Sequence, residues 1–282
     1  MIRIHCDAAT RQGQGRRNED RMIALPEQQL YAVIDGVSGL EPITDEEGHT
    51  AGEMAALSIA RGLESITTTA AIDSPLDVMC ARLMDANRKL DNTMRLYGIA
   101  PYDTGRRFGA VHAAVWLDEY YAYWTQTGDC MIYALYESGE VRAVTYDRVA
   151  PFDERVLSAW MEHRQPEEIR QLLRQNRSRA NTEFGYSVLN GDEAVQHRLE
   201  YGALPLQGVT HILLVSDGIY PWRVDEEQSS MERWFQYIIT TGMEQCAAAL
   251  EARERMDAYC NQIPRFKMCD DKSGILLTIE RI

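Results

Sequence analysis

Acidic residues stand at the ends of the most apolar segments of this sequence. The segments YAVIDG and LLVSDG place Asp35 and Asp217 directly before a glycine, after runs typical of buried strands. Another strand-like segment runs into Gly128-Asp129, and the last one is entered through Asp270-Asp271. A single Asp-Gly pair is more often a simple turn, because Asp bonds its own backbone and Gly accepts positive φ. The repetition at several strand ends favours a functional interpretation.

Carboxylates at the rigid ends of strands are suited to bind metal ions. Several of them at one place repel one another, which raises their pKa values, and divalent cations remove that repulsion. Mg²⁺ and Mn²⁺ take oxygen ligands in octahedral geometry. Two such ions about 4 Å apart can share a hydroxide nucleophile and hold phosphoryl oxygens during in-line attack. The acids therefore indicate a two-metal hydrolytic centre, to which Asn18-Glu19-Asp20 adds further carboxylates.

Other chemistries find less support in the sequence. There is no Gly-x-Ser-x-Gly elbow, Cys-x5-Arg loop, GxGxxG segment or P-loop. The 6 cysteines lack the CxxC or CxxH spacing of a structural zinc site, so free thiols are expected. The net charge of -14 repels nucleic acid and anionic lipid, which argues against both as partners.

Hydrophobic periodicity places these acids on an alternation of strand groups and helix groups. Strands are predicted over 30–35, 110–117, 120–127, 131–137, 140–146, 186–190, 196–201, 211–217 and 273–280. Helices are predicted over 50–66, 74–97, 153–177, 226–239 and 243–262, with Thr50 to Glu53 resembling a capping box. The four runs between 110 and 146 are expected to form consecutive antiparallel strands. This order favours an α+β layered sandwich over a Rossmann-type alternation.

Length and composition favour one domain spanning 1–282, because no linker or repeat divides the chain. The start, MIRIHCDAATRQG, lacks the apolar run of a signal peptide, and no stretch of 18 apolar residues occurs. We therefore expect a cytoplasmic protein.

Taken in order, the acidic motifs resemble those of the metal-dependent, type-2C Ser/Thr protein phosphatases. The matching segments are Arg16-Arg17-Asn18-Glu19-Asp20, Asp35-Gly36, Gly128-Asp129, Ser216-Asp217-Gly218 and Asp270-Asp271-Lys272-Ser273. Phe184 to Gly191 is similar to a segment of the bacterial members. The resemblance implies a four-layer α/β/β/α sandwich of two mostly antiparallel sheets covered by helix pairs. It also implies a variable flap at about 147–185, which includes the Arg-rich region.

The resemblance implies a role for each matching residue. Asp35 would bridge two Mn²⁺ or Mg²⁺ ions, and the Gly36 carbonyl would bind one of them. Asp217 and Asp270 would complete the shell of the first ion, and Glu19 would reach the second through water. Asp20 would support the ligands. Arg16 or Arg17 would bind the substrate phosphate. Asp129 would bind a third ion together with Asp217.

Several positions depart from the family pattern. Gly15 occupies the usual place of the phosphate-binding arginine, which leaves Arg16 and Arg17 as alternatives. Cys130-Met131 follows Asp129 where Ser-Arg is usual, and Pro221 stands where many members add an aspartate, so the third ion is in question.

Two further departures concern the proton donor and the last motif. Val37 replaces the histidine of animal members, so a general acid would have to be a metal-bound water or another group. Asp271 stands where asparagine is usual, and a second carboxylate there is expected to alter metal affinity.

We consider two functions. The first is a cytoplasmic phosphoprotein phosphatase that cleaves phosphoserine and phosphothreonine through a hydroxide bridging two divalent metals. Its expected partners are a phosphorylated protein and a cognate kinase or its substrate, and it is expected to be a monomer. The second is a catalytically impaired module that binds a phosphorylated partner, suggested by the altered Arg loop and by Cys130-Met131.

Overall fold

The fold of this protein is given by a computed structural model that describes residues 1–66, 74–162, 165–221 and 231–282. Its strands are β1 Ile2–Arg11, β2 Arg21–Leu25, β3 Leu30–Val37, β4 Gly109–Leu117, β5 Tyr121–Thr127, β6 Met131–Tyr136, β7 Val141–Ala143, β8 Glu200–Pro205, β9 Val209–Val215 and β10 Lys272–Arg281. Its helices are α1 Ala51–Glu64, α2 Pro75–Leu96, α3 Ala150–Met161, α4 Pro166–Arg177, α5 Met231–Thr241 and α6 Met243–Met256. Short 3-10 helices cover Pro26–Gln28 and Glu193–His197.

The strands form two antiparallel sheets of five strands each. Sheet 1 has the order β1-β10-β9-β6-β7, and sheet 2 has the order β2-β3-β4-β5-β8. Their facing sides share one hydrophobic cluster, which includes Val33 and Val111 from sheet 2 and Ile212 and Ile275 from sheet 1. The two sheets therefore pack face to face, as expected for a sandwich.

Pairs of helices cover both outer faces. Ile59 of α1 and Leu83 of α2 lie in a cluster with Ile34 on the outside of sheet 2. Trp234 of α5 and Leu250 of α6 lie in a third cluster on the outside of sheet 1. The four-layer α/β/β/α prediction is confirmed.

The local signals explain the helix nearest to the site. The Thr50 side chain accepts a hydrogen bond from the Glu53 amide at the start of α1, as the capping pattern predicted. Pro75 opens α2, and Gly98 follows its end with a positive φ of 68°.

The structure corrects the prediction of four consecutive antiparallel strands. β4 and β5 pair in sheet 2, whereas β6 and β7 pair in sheet 1. The chain changes sheets at Gly128-Asp129, where Gly128 has a φ of 68° that an L-residue rarely adopts. This crossing carries Asp129 to the junction of the two layers.

Some element bounds also differ from the prediction. Within the described residues, 186–190 forms no named strand, and Leu189 makes an isolated bridge to Ala110. The segment 196–201 is divided between a 3-10 helix and β8, and α6 ends at Met256. β1 and β2 were not predicted, and residues 226–230 of a predicted helix lie outside the described residues.

The Arg-rich segment forms two helices, α3 and α4, that pack on each other. Val156 and Ala159 of α3 and Ile169 of α4 form a small cluster separate from the three larger ones. This helical pair lies within the segment expected to be a flap. In the described part of the chain, no helix has both the length and the apolar character needed to cross a membrane.

His112 gives the fold a testable pH dependence. It is fully buried in β4, where its ring nitrogens lie 3.0 Å from the hydroxyls of Thr125 and Thr127. Burial lowers the pKa of His112 from 6.5 to about 3. Below pH 6.5 His112 is protonated in the unfolded chain, whereas in the native state it stays neutral until about pH 3. The free energy of unfolding therefore falls as the pH drops from 6.5 towards 3.

We expect the metal-free protein to lose about 2 kcal/mol of stability through His112 between about pH 7 and about pH 5. The variant His112→Gln, which has no titrating ring, should lack this part of the loss. Urea unfolding of both proteins with a chelator measures the difference. An identical pH dependence in the two proteins would contradict the assignment.

Candidate metal centre

Except for Asp20, the acidic residues singled out in the sequence line one cleft of about 940 Å³. Asp35 comes from β3 of sheet 2, whereas Asp217 and Asp270 flank β9 and β10 of sheet 1. Asp129 enters from the crossing between the sheets. The structure thus brings together residues that are far apart in the sequence.

Hydrogen bonds between Ser216 and Ser273 hold the chain segments of Asp217 and Asp270 next to each other. The Ser216 amide donates to the Ser273 carbonyl at 2.9 Å, and the Ser273 amide donates to Ser216 Oγ at 3.0 Å. A Cβ on Gly218 would overlap the backbone of Asp271, so only glycine permits this approach. The glycine after Asp217 therefore serves close packing.

Glu19 and the Gly36 carbonyl converge beside the start of α1. Ser38 Oγ donates to Glu19 Oε1 at 2.8 Å and accepts the Gly52 amide at 3.1 Å. A Cβ on Gly52 would overlap the Glu19 carboxylate and would lie 2.8 Å from the Gly36 oxygen. Because Gly52 has no side chain, a carboxylate oxygen of Glu19 and the carbonyl oxygen of Gly36 can both lie next to it.

Asp20 points into the protein. It is 2% exposed, and Ser216 Oγ donates to its Oδ2 at 2.8 Å. Burial, together with the nearby charges of Asp217 and Asp271, raises the pKa of Asp20 to about 8. This position suits a residue that supports the β9 end.

Crowding of like charges dominates the electrostatics of the cleft. Desolvation raises the pKa of Asp35 well above its usual value, and four acids add to the rise: Asp20, Asp217, Asp129 and Asp270. Asp217 is open to the cleft, yet the surrounding protein and Asp270 raise its pKa to about 7.

The donor set fits hard divalent cations. It consists of carboxylate and carbonyl oxygens, the ligands preferred by Mg²⁺ and Mn²⁺. Asp129 Oδ1 is inaccessible to solvent and has no hydrogen-bond partner among the described residues. An orphaned anionic oxygen is costly, and a cation would satisfy it.

Asp270 makes a different contact from Asp35 and Asp217. Lys267 Nζ lies 2.7 Å from Asp270 Oδ1, which supplies one positive charge to the acidic cleft. In the part of the chain that the structure describes, no three acids of the cleft bring their ligand atoms within 4.8 Å of one another. A cation bound at Asp270 Oδ1 would compete with this ammonium group.

A tighter group lies on the loop before α1. The ligand atoms of Asp45, Glu47 and His49 lie within 4.8 Å of one another. His49 Nδ1 lies 2.7 Å from Asp45 Oδ2, and the Asp45 side chain also accepts two backbone amides of this turn. These contacts account for the cluster as part of a turn.

The two candidate arginines have different surroundings. Arg17 donates to the Glu47 carbonyl at 3.0 Å, and its Nε lies 3.8 Å from Glu53 Oε2. Arg16 is exposed and lines the cleft, without a hydrogen bond or ion pair to the described residues. Arg16 is therefore the guanidinium free to meet an anion.

Asp271 has a role that the sequence did not reveal. Its Oδ1 accepts the Gly13 amide and its Oδ2 accepts the Glu19 amide, both at 2.7 Å. Both oxygens are thus used to hold the loop that carries Arg16. The sequence did mark this position, because Asp271 stands where the phosphatase family usually has asparagine. We interpreted the difference as a change in metal affinity, not as a contact with the loop.

A family model described as Protein phosphatase 2C matches residues 9–256. The chain belongs to this family. Membership makes it a metal-dependent protein serine/threonine phosphatase, a phosphoric monoester hydrolase, and the function predicted from the motifs is confirmed. Nothing in the match favours the impaired module. No curated protein sequence matches the chain.

Solved structures of bacterial phosphatases share the fold. The catalytic domain of the serine/threonine protein phosphatase PstP, in complex with 2 manganese ions, is 18% identical, with 100% of both chains covered and a TM-score of 0.63. Stp1 from Staphylococcus aureus is 19% identical, with 99% of this chain and 96% of that chain covered and a TM-score of 0.61. PppA, described as a key regulatory component of T6SS in Pseudomonas aeruginosa, is 16% identical, with 98% of both chains covered and a TM-score of 0.61. At these identities the likeness establishes the fold.

The double use of Asp271 predicts a sensitivity to a single-atom change. In Asp271→Asn one acceptor oxygen becomes an NH₂ group facing an amide donor, which should cost about 1–3 kcal/mol. Urea unfolding of the metal-free protein measures this loss. Asp7→Asn is the matched control, because among the described residues Asp7 accepts a hydrogen bond from the Met243 amide through Oδ2, and an asparagine oxygen can replace this acceptor. Equal stability of Asp271→Asn and wild type would contradict the role of Asp271 as a clamp, meaning that its two oxygens hold the Gly13 and Glu19 amides.

Proposed function

We propose that this phosphatase holds two Mn²⁺ or Mg²⁺ ions in the cleft and hydrolyses phosphoserine and phosphothreonine in protein substrates. The proposal rests on one observation, the crowding of Asp35 by four other acids without enough positive charge to offset them. When bound, a pair of such ions lowers the pKa of water and neutralises the charge of phosphoryl oxygens. The two manganese ions in the PstP structure support this choice of ions.

The proposed ligands are the cleft residues that match the family motifs. Asp35 would bridge the two ions, and the Gly36 carbonyl would bind one of them, with Glu19 reaching the second ion through water. Asp217 and Asp270 would complete the ligands of the first ion. Asp20 orients Ser216, which fixes the backbone next to Asp217.

Asp129 and Asp217 are the residues that would hold a third ion. The orphaned Asp129 Oδ1 favours it. The proline at position 221, where many family members place another aspartate, argues against it. A titration that counts bound ions would decide the number.

Arg16 is the proposed grip for the substrate phosphate. A guanidinium offers paired donors to phosphate oxygens, and Arg16 lines the cleft with these donors unused by the described residues. Arg17 is proposed to shape the loop, because it bonds the Glu47 carbonyl and faces Glu53.

The wider setting is also proposed. We infer a single domain over residues 1–282 with a flap at about 147–185, and a cytoplasmic monomer that acts on a phosphorylated protein opposite a cognate kinase. The separate small cluster of α3 and α4 supports the flap. Because Val37 stands at the position of the animal histidine, the general acid would be a metal-bound water or another group.

Loss of the bridging carboxylate should abolish the reaction. We expect Asp35→Asn to lower kcat on a phosphoserine peptide by about 100-fold or more, because the charge that gathers the ions is removed. A chelator should have the same effect on the wild type, and added Mn²⁺ should reverse it. Asp118→Asn, at an exposed turn outside the cleft, is the control. Full activity in Asp35→Asn, or in chelated enzyme, would refute the two-metal proposal.

The two arginines should separate in steady-state kinetics. Arg16→Ala is expected to raise KM for the phosphopeptide by about tenfold or more, through loss of a charged hydrogen bond to phosphate. Arg17→Ala should change KM less. The comparison needs both variants at saturating Mn²⁺. The reverse order would assign the phosphate to Arg17.

A further inference from the structure

Glu254 and Lys272 form a buried ion pair at the wall of the acidic cleft, which Glu254 helps to line. Glu254 lies in the last turn of α6 and Lys272 begins β10, and each side chain is 1% exposed. Lys272 Nζ lies 2.6 Å from Glu254 Oε2. A buried ion pair rarely stabilises a fold more than apolar side chains of the same size would. Stability alone therefore does not explain why charged residues occupy these two positions.

The pair contacts both strand ends that carry the sheet 1 acids. Lys272 Nζ donates to the Asp270 carbonyl at 2.9 Å. Tyr220, three residues after Asp217, donates its hydroxyl to Glu254 Oε1 at 3.3 Å. One ion pair therefore connects the loop after β9 to the chain that enters β10.

Arg265 ties the same helix end to the same chain segment. Its guanidinium donates to the Glu254 carbonyl at 2.8 Å and to the Met268 carbonyl at 2.9 Å. It also forms an ion pair with Asp257 at 2.7 Å. The backbone before Asp270 is thus anchored to the end of α6 from both sides.

We propose that Glu254 and Lys272 are positioning residues that set the spacing of Asp217 and Asp270 and so the affinity of the cleft for divalent cations. The inference rests on the proposed function of the cleft. Glu254 holds the Lys272 ammonium on the Asp270 carbonyl, which keeps this cation away from the acidic side chains. The carboxylates then stay available to metal ions.

This arrangement separates the roles of the two lysines near Asp270. Lys267 is about half exposed and contacts the Asp270 carboxylate, which a cation would claim. Lys272 contacts the backbone carbonyl instead, so its contact can persist whether or not the carboxylate binds a metal. Partners behind a ligand commonly change metal affinity by about 10- to 100-fold when removed.

The test compares the single variant Lys272→Met with the double variant Lys272→Met/Glu254→Leu. Calorimetric titration of metal-free protein with Mn²⁺ measures affinity, and thermal unfolding without metal measures stability. The single variant should lose stability because Glu254 is left unpaired, and the double variant should recover much of it. Mn²⁺ affinity should fall by about 10- to 100-fold in both.

A second ion pair provides the matched control. Arg107 is 4% exposed, lies 2.8 Å from Asp91 and donates to the Asn190 carbonyl, away from the residues that line the cleft. The double variant Arg107→Met/Asp91→Leu should leave Mn²⁺ affinity unchanged. Loss of affinity in this control as well would assign the effect to general destabilisation and overturn the inference.

Tyr220→Phe keeps the test decisive if the double variant does not fold. It removes one hydroxyl and should lower Mn²⁺ affinity by about threefold or more. Wild-type affinity in the folded double variant, or in Tyr220→Phe, would overturn the inference while leaving the proposed function intact. A wild-type protein that takes up no Mn²⁺ would overturn both.

Discussion

Repulsion among like charges is the constraint around which this structure is organised. Asp35, Asp129, Asp217 and Asp270 line one cleft, and the pKa values of the first three are raised. Carboxylates in that arrangement would separate if they stood on loose chain. They stay together because strand pairing, a shared core and close glycine contacts fix the backbone beneath them. The stability of the sandwich thus maintains an electrostatic arrangement that is unfavourable in itself.

The same constraint explains how the surrounding side chains are used. Positively charged side chains in and next to the cleft are mostly paired with other groups: Lys272 with Glu254, Arg17 with the loop before α1, and Lys267 with Asp270. Amide donors are likewise directed to Asp271, which grips the loop ahead of Glu19. The mutual repulsion of Asp35, Asp129 and Asp217 therefore stays in place, and a divalent cation would relieve it.

Most of the fold, and most of the residues that line the cleft, could be predicted from the sequence. Strands such as β3 and β9 are so apolar that their burial can be recognised from the sequence alone. β1 could not be predicted, since this edge strand is largely exposed and its pairing with β10 is a long-range property. The change of sheet at Gly128 was missed for the same reason: periodicity identifies strands but not their partners. The clamp at Asp271 depends on amide directions, and these exist only in the folded chain.

The acids of the cleft belong to different layers, with Asp35 on sheet 2 and Asp217 and Asp270 on sheet 1. An ion bound by both Asp35 and Asp217 would therefore link two layers that otherwise pack through a shared apolar cluster. Such a link would resist sliding of one sheet over the other, so metal binding would stabilise the packing of the two sheets as well as prepare the cleft for its reaction.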